Sequence, residues 1–154
     1  MDKFWPTCAT STGQQIRACL FAVESRRRHF LADFLAGVSQ TASSENWTLT
    51  VATPATENGV LLTLRRLIDE RKADGFILPR TKVSDPRIKL LRAEGIPFVM
   101  FGRTKDQTGC AWYDVLGEEA IRQAVLRLSK LGHQKIGFVN SDLKYNFADL
   151  RLQG

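Results

Sequence analysis

The sequence contains no apolar stretch long enough to cross a membrane as a helix. Its longest uninterrupted apolar runs cover residues 18–23 and 96–101, whereas a spanning helix needs roughly 20 apolar residues. The first six residues also lack the apolar segment that a secretory signal requires. These absences predict a chain that has no membrane partner and does not start with a signal peptide.

Cysteine and histidine are scarce, and their positions fit no metal or redox motif. The chain has three cysteines (Cys8, Cys19 and Cys110) and two histidines (His29 and His133). An odd number of widely spaced cysteines indicates free thiols in a reducing compartment, so we expect a cytoplasmic protein with no cofactor and no metal. The glycine patterns of nucleotide-binding loops and the serine elbow of hydrolases are also missing. The sequence therefore predicts a protein that is not an enzyme.

Positive charge is in excess, and it is concentrated in one part of the chain. The formal net charge is +6, and residues 65–105 alone contain eleven Lys and Arg against five Asp and Glu. A basic surface attracts nucleic acids or anionic ligands. However, these basic residues are interleaved with Leu and Ile at helical spacing. We interpret them mainly as the solvated faces of helices, with anion binding as the alternative.

Short apolar segments alternate with amphipathic segments along most of the chain. The predicted strands cover residues 17–23, 48–52, 76–78, 97–101 and 135–139. Residues 1–15 are polar without periodicity and predict a linker or a disordered N-terminus, and residues 104–113 are predicted to be irregular. Because strands and helices alternate five times, we predict an α/β fold with a parallel sheet flanked by helices.

Ligands of such sheets bind beyond the carboxyl ends of the strands, and four polar or aromatic residues follow these ends. His29 comes after the first strand and is either a ligand contact or an exposed side chain. Phe30 either stacks on a ligand or begins the apolar stripe of the next helix. Arg103, after the fourth strand, binds ligand oxygens or pairs with Asp106. Asp114 accepts hydrogen bonds from a ligand or caps the helix predicted at 117–131.

Seven motifs, in order and at fitting distances, resemble those of one protein family. They are KADGFIL at 72–78, RT at 80–81, DPR at 85–87, GIPFV at 95–99, GRT at 102–104, LGHQKIGF at 131–138 and LRLQG at 150–154. Together they are similar to the pattern of the LacI-type (LacI/GalR) transcription regulators. The resemblance extends over residues 16–154, and its most specific part is the LGHQKIGF segment.

The resemblance implies a flavodoxin-like or Rossmann-like lobe of the type I periplasmic-binding-protein fold. Members of that family carry a DNA-binding headpiece before two such lobes, and a small effector binds between the lobes. Residues 16–154 match only the N-terminal lobe, so we expect the headpiece and the second lobe to be absent from this chain. The implied partners are a small-molecule effector, usually a sugar, and a second copy of the chain in a homodimer. Operator DNA is a partner only through the missing headpiece.

The resemblance also implies ligand-binding roles for individual residues. Phe30 matches an aromatic residue that packs on the effector, with His29 beside it. Arg151 matches an arginine that donates hydrogen bonds to effector oxygens. Asp114 matches an acidic residue of a ligand-binding loop, although Val115 stands where the family usually has Asn. Arg103 matches a basic position close to the cleft.

Two other classes of function remain open from the sequence. One is a periplasmic sugar-binding protein of an ABC transporter, which shares the lobe but needs a signal peptide. The other is a small flavodoxin-like enzyme or a receiver domain. A receiver domain requires an Asp at the end of the third strand, where this chain has the basic sequence Leu78-Pro79-Arg80. The regulator, controlled by ligand-driven closure of its lobes, is therefore the favoured interpretation.

Overall fold

A computed structural model describes residues 17–21, 28–54 and 56–154. Its strands are β1 (Arg17–Phe21), β2 (Thr48–Ala52), β3 (Gly75–Pro79), β4 (Phe98–Phe101) and β5 (Ala111–Tyr113). Its helices are α1 (Arg28–Ser44), α2 (Glu57–Asp69), α3 (Pro86–Ala93), α4 (Gly117–Lys130) and α5 (Asn146–Gln153). The strands form one parallel sheet in the order β2-β1-β3-β4-β5. The predicted parallel α/β fold is confirmed.

The strand order reverses beside β1, because β2 lies on one side of it and β3 on the other. At such a switch point the connections leave the sheet in opposite directions and open a crevice beyond the carboxyl ends of the strands. Residues 22–27, which follow β1, lie outside the described part of the chain. The described part of the crevice comprises the ends of β3, β4 and β5 and the backbone of α1.

One sheet face and two helices form the apolar core. Phe76, Leu78 and Met100 project from the sheet and are fully buried because alternate residues of a strand face the same side. The helical members of this core are Val60, Leu64 and Leu67 of α2 and Ile88 and Leu91 of α3. These residues stand at the helical spacing that the sequence predicts for core positions.

The opposite face of the sheet is less covered. Ile77 points to this side, between Phe76 and Leu78, and lines a groove of about 720 Å³ between α1 and the sheet. The other large side chains of the groove are Phe34, Val38, Trp47, Leu49 and Tyr113. This groove lies beside α1, on a different side of the sheet from the core, and its described lining does not include Arg103, Asp114 or Arg151.

Two secondary-structure predictions are wrong in an informative way. Residues 135–139 form no strand, and Ile136, Phe138 and Val139 are exposed. The strand at the edge of the sheet beside β4 is instead β5. Strand β5 lies within residues 104–113, which the sequence predicts to be irregular. A strand needs a neighbouring strand as well as an apolar pattern, and the described chain offers residues 135–139 no such neighbour. A smaller correction concerns α1, which begins at Arg28 and therefore includes His29.

The last two helices pack against each other. Helix α4 has an apolar stripe at Ile121, Val125 and Leu128, but none of its side chains is buried. Helix α5 begins at Asn146, which is buried together with Ala148. Gly132 has a φ of +91° and ends α4 in the left-handed conformation that the sequence predicts. Among the described residues, no helix combines the length and the apolar content needed to cross a bilayer.

Candidate ligand-binding site

Hydrogen bonds connect three segments at the carboxyl edge of the sheet. In the loop after β3, the Thr81 hydroxyl donates to the Arg103 carbonyl oxygen at 2.5 Å. The Thr104 hydroxyl donates to the Lys82 carbonyl oxygen at 2.9 Å. The Asn146 backbone N–H, at the start of α5, donates to the Thr81 carbonyl oxygen at 3.1 Å. The loops after β3 and β4 and the start of α5 therefore hold one another in place.

Gly102 packs so closely against Thr81 that no side chain fits at this position. Its φ is +114°, and a Cβ atom there would lie 2.7 Å from the Thr81 hydroxyl oxygen. We expect Gly102→Ala to lower the free energy of unfolding by about 1–3 kcal/mol, because it adds backbone strain to this collision. Urea denaturation followed by circular dichroism measures the change.

Gly37 provides the matched control for that substitution. It lies within α1, and a Cβ atom there would meet nothing within 4 Å. Because Gly in a helix interior is less stable than Ala by roughly 0.5–1 kcal/mol, Gly37→Ala should stabilise the protein. A Gly102→Ala protein as stable as the wild type would contradict the close packing of Gly102 against Thr81.

Arg103 lies between two carboxylates rather than free in the crevice. Its Nε donates to Asp114 Oδ2 and its Nη2 donates to Glu118 Oε2, each at 2.8 Å. The hydrogen bond to Glu118 raises the pKa of Arg103, partial burial lowers it, and the bond to Asp114 raises it further. The same contact lowers the pKa of Glu118. This cluster joins the end of β4, the segment after β5 and the first turn of α4.

The structure corrects the alternative roles considered for Arg103 and Asp114. Asp106 pairs with Arg92 at 2.6 Å and not with Arg103. Asp114 does not cap α4, because the residue at the cap position is Leu116 and no side chain bonds to that helix end. The second oxygen of Asp114 instead accepts from the Val115 backbone N–H at 2.8 Å. Spacing along the chain favours Asp106 as the partner of Arg103, and only the fold brings Asp114 into contact with it.

Arg151 reaches the same region from α5. Its side-chain stem lies against Gly117, where a Cβ atom would stand 3.3 Å from Arg151 Cγ. Gly117 directly precedes Glu118, which binds Arg103. The guanidinium carbon of Arg151 lies 5.1 Å from the centre of the Phe147 ring. Of the predicted site residues, Arg103 and Asp114 are thus in direct contact, and Arg151 packs against the residue that precedes Glu118.

The other two predicted residues are placed by their backbone only. His29 and Phe30 lie in the first turn of α1, which follows β1, while their side chains lie outside the described part of the structure. Since the sheet is parallel, the carboxyl end of β1 is at the same edge as those of β3, β4 and β5. Their predicted contacts with a ligand remain predictions.

Glu118 is the residue of this cluster that the sequence does not reveal. In sequence it is an acidic residue in the first turn of a helix, where negative charge is favourable with or without a ligand site nearby. Only the approach of β4 to the start of α4 makes it a partner of Arg103. Within the described ranges, no group of three or more His, Cys, Asp or Glu is arranged to hold a metal ion.

Comparison with known proteins gives a consistent set of matches. The family described as periplasmic binding proteins and sugar binding domain of LacI family matches residues 17–154. The chain is 35% identical over 89 residues to the HTH-type transcriptional regulator RafR of Escherichia coli, which covers 58% of this chain and 26% of that protein. It is 31% identical over 127 residues to the HTH-type transcriptional regulator AglR of Rhizobium meliloti, which covers 82% of this chain and 35% of that protein.

Solved structures agree with these sequence matches. A regulatory protein of the LacI family from Chloroflexus aggregans superimposes with a TM-score of 0.79 at 28% identity, covering 90% of this chain and 50% of that one. These relatives are transcription regulators rather than enzymes. The chain spans about a quarter to a third of the length of the two curated relatives. The resemblance seen in the sequence motifs is thereby confirmed.

Proposed function

The chain belongs to the family of periplasmic binding proteins and LacI-family sugar-binding domains, and on this premise we propose that it forms part of the effector-binding domain of a bacterial transcription regulator. The effector is a sugar. The observation that carries this proposal is the contact of Arg103 with Asp114 at the carboxyl edge of the sheet, next to the start of α4, against which Arg151 packs. Parallel sheets bind their ligands at this edge.

Each side chain of the site has a role that follows from its surroundings. Arg151 has no carboxylate partner among the described residues, so its N–H groups are available to sugar oxygens. Asp114 accepts from sugar hydroxyls with the lone pairs that Arg103 and Val115 leave unused. Because two carboxylates already bind Arg103, its role is to orient Asp114 rather than to bind the sugar as the main donor.

The first turn of α1 completes the site in this proposal. Phe30 packs on a sugar ring and His29 lies beside it, as the family resemblance implies. Residues 16–154 supply the N-terminal lobe of the effector-binding domain in this proposal. Closure of two lobes on the effector shifts the protein between two conformations, because the effector has a higher affinity for one of them. In the proposed regulator, that shift changes the binding of operator DNA by a cytoplasmic homodimer.

A matched pair of arginine variants tests the site. The protein used is the full product of the reading frame that encodes these residues. We expect Arg151→Ala to weaken sugar binding about tenfold or more, because hydrogen bonds from charged donors contribute roughly 1.5–3 kcal/mol. Isothermal titration calorimetry with maltose and cellobiose measures the affinity. Arg127→Ala, at an exposed position of α4, is the control and should bind as the wild type does.

The same proteins distinguish a transcription regulator from a transport protein. Gel-shift assays measure their binding to the DNA upstream of the reading frame. We expect sugar to alter DNA binding by the wild type but not by Arg151→Ala. An unchanged sugar response in Arg151→Ala would refute the assignment of the site. Sugar binding without any DNA binding would favour a transport protein over a regulator, and a wild type that binds none of the sugars would refute the proposed function.

A further inference from the structure

The groove between α1 and the sheet is a second concave surface, apart from the residues assigned to the sugar. Parallel sheets normally have both faces covered by helices. Here α2 and α3 cover one face, whereas Ile77 of β3 lines the groove on the other face instead of packing beneath a helix. The groove has a volume of about 720 Å³, and pockets for small molecules usually have about 300–1,000 Å³. Its size therefore fits a small organic molecule.

Aromatic side chains from four segments line this groove or support its lining. Phe34 and Tyr113 line it, and the ring of Phe101 stacks with both. The ring centres of Phe34 and Phe101 are 4.4 Å apart, and those of Phe101 and Tyr113 are 6.2 Å apart. Tyr113 is 70% exposed, and the half-buried Trp47 contributes a further aromatic side chain to the lining. Aromatic rings attract cations as well as apolar groups, because the face of each ring carries partial negative charge.

The charged residues that line the groove are all acidic. Asp33 and Glu45 belong to its described lining, which includes no Lys, Arg or His, although the chain as a whole has a net charge of +6. Neither carboxylate forms an ion pair with a described residue. Both are therefore available to a positively charged ligand.

The two carboxylates lie at opposite ends of α1. Asp33 is in the second turn of the helix, and Glu45 directly follows its last residue. At about 1.5 Å per residue, their backbones are about 18 Å apart along the helix axis. Between them the lining of the groove includes Val38, and the Thr41 hydroxyl donates to the Gly37 carbonyl oxygen at 3.0 Å. The middle of the groove is therefore apolar, while each end is negatively charged.

Gly37 keeps the middle of the groove open. It lies within α1 and lines the groove, and a Cβ atom there would meet nothing within 4 Å. Glycine in the interior of a helix is less stable than alanine, so the stability of α1 does not explain this residue. A ligand in the groove does explain it, because a larger side chain at this position would take up the space that the ligand needs.

We propose that this groove is a second ligand-binding site, which takes an elongated organic dication with an apolar middle. One cationic group of the ligand contacts Asp33, the other contacts Glu45, and the apolar chain between them packs beside Gly37 on Ile77. Charge complementarity selects the two ends of the ligand, and the apolar lining selects its middle. This inference goes beyond the proposed function and does not depend on it, because the sugar and the dication bind to different residues.

Isothermal titration calorimetry with decamethonium tests this site, because decamethonium joins two quaternary ammonium groups by a long apolar chain. The full product of the reading frame is used, so that every segment of the protein is present. Hexamethonium has the same charges on a shorter chain. It should bind about tenfold more weakly or worse, since it buries less apolar surface and reaches only one of the two carboxylates.

Three variants locate the bound dication. Asp33→Asn and Glu45→Gln should each weaken decamethonium binding about two- to fivefold, because each removes one exposed ion pair. Gly37→Leu should abolish binding, because its side chain fills the middle of the groove. The matched control is Asp69→Asn, which changes an exposed carboxylate outside the groove and should bind as the wild type does. Circular dichroism checks that each variant is folded, and the two charge variants test the site even if Gly37→Leu does not fold.

Two results would overturn this inference. A wild type that does not bind decamethonium is the result expected if another segment of the protein or a second copy covers the groove. Binding that none of the three substitutions weakens would place the dication elsewhere. Sugar binding by the charge variants should equal that of the wild type, so that failure of this inference leaves the proposed function intact.

Discussion

Leu64→Ala is expected to lower the free energy of unfolding by about 2–5 kcal/mol. Leu64 lies in α2 with no exposed surface and packs in the core with Phe76 and Leu91. Shortening it removes apolar contacts and leaves a cavity, because the surrounding side chains relax only in part. Urea denaturation followed by circular dichroism measures the loss, which is a large part of the 5–15 kcal/mol that typically stabilises a domain.

Leu62 is the control for this prediction because it is the same residue type on the same helix. It is 71% exposed, so Leu62→Ala should change the free energy of unfolding by no more than about 0.5 kcal/mol. The two variants lose the same atoms and differ only in burial. Equal losses would show that α2 does not face the sheet through Leu64.

Asp85→Asn should also destabilise the protein strongly, by about 3–5 kcal/mol. The side chain of Asp85 is fully buried, and that of Arg87 is 5% exposed. Asparagine keeps the shape and can still cap α3, where Asp85 accepts from the Arg87 backbone N–H. The substitution removes the negative charge and leaves the guanidinium of Arg87 buried without a counter-ion. It also replaces the oxygen that accepts from the Lys82 backbone N–H and from Arg87 Nη2 with a donor group.

Two further variants separate this effect from a general loss of charge. Asp85→Asn combined with Arg87→Met removes both charges and should recover much of the loss, because the uncompensated cation is gone. Asp69→Asn, at an exposed position in the last turn of α2, should be nearly neutral. A double variant no more stable than Asp85→Asn alone would contradict the view that a buried, unpaired charge causes the loss.

The same ion pair predicts how stability depends on pH. Burial raises the pKa of Asp85, but hydrogen bonds and the positive charge of Arg87 lower it more, so that it lies below its ordinary value of 3.8. A carboxylate with a lowered pKa in the folded state stabilises the protein above that ordinary value. The stability difference between the wild type and Asp85→Asn should therefore persist at neutral pH and shrink as the pH falls below 3.8 through the lowered pKa.

Local sequence patterns predict the parts of this fold that depend on neighbouring residues. Asp85 followed by Pro86 predicts the start of α3, and the structure confirms both the cap and the proline in the first turn. The alternation of apolar strands and amphipathic helices predicts the parallel sheet. In turn, the sheet predicts that Arg103 and Asp114 lie at one edge. Periodicity suffices for α2, β3 and α3 because each buries its own apolar side in the core.

Contacts between segments that are distant in sequence cannot be predicted in this way, because no local sequence pattern indicates them. Residues 111–113 form the edge strand through pairing with β4, whereas the more apolar residues 135–139 remain exposed. Arg103 has Asp106 nearby in sequence but binds Asp114 and Glu118. In each case the choice depends on which group the folded chain brings within reach.

The sequence by itself determines the family, the parallel α/β architecture and the carboxyl edge at which we propose that a ligand binds, since these follow from motifs and periodicity. Only the tertiary structure decides which charges at that edge are neutralised. It pairs Arg103 with two carboxylates and leaves Arg80 and Arg151 stacked on aromatic rings. The physical reason is that the state of a guanidinium depends on atoms within about 4 Å of it, and those atoms come from other loops and helices.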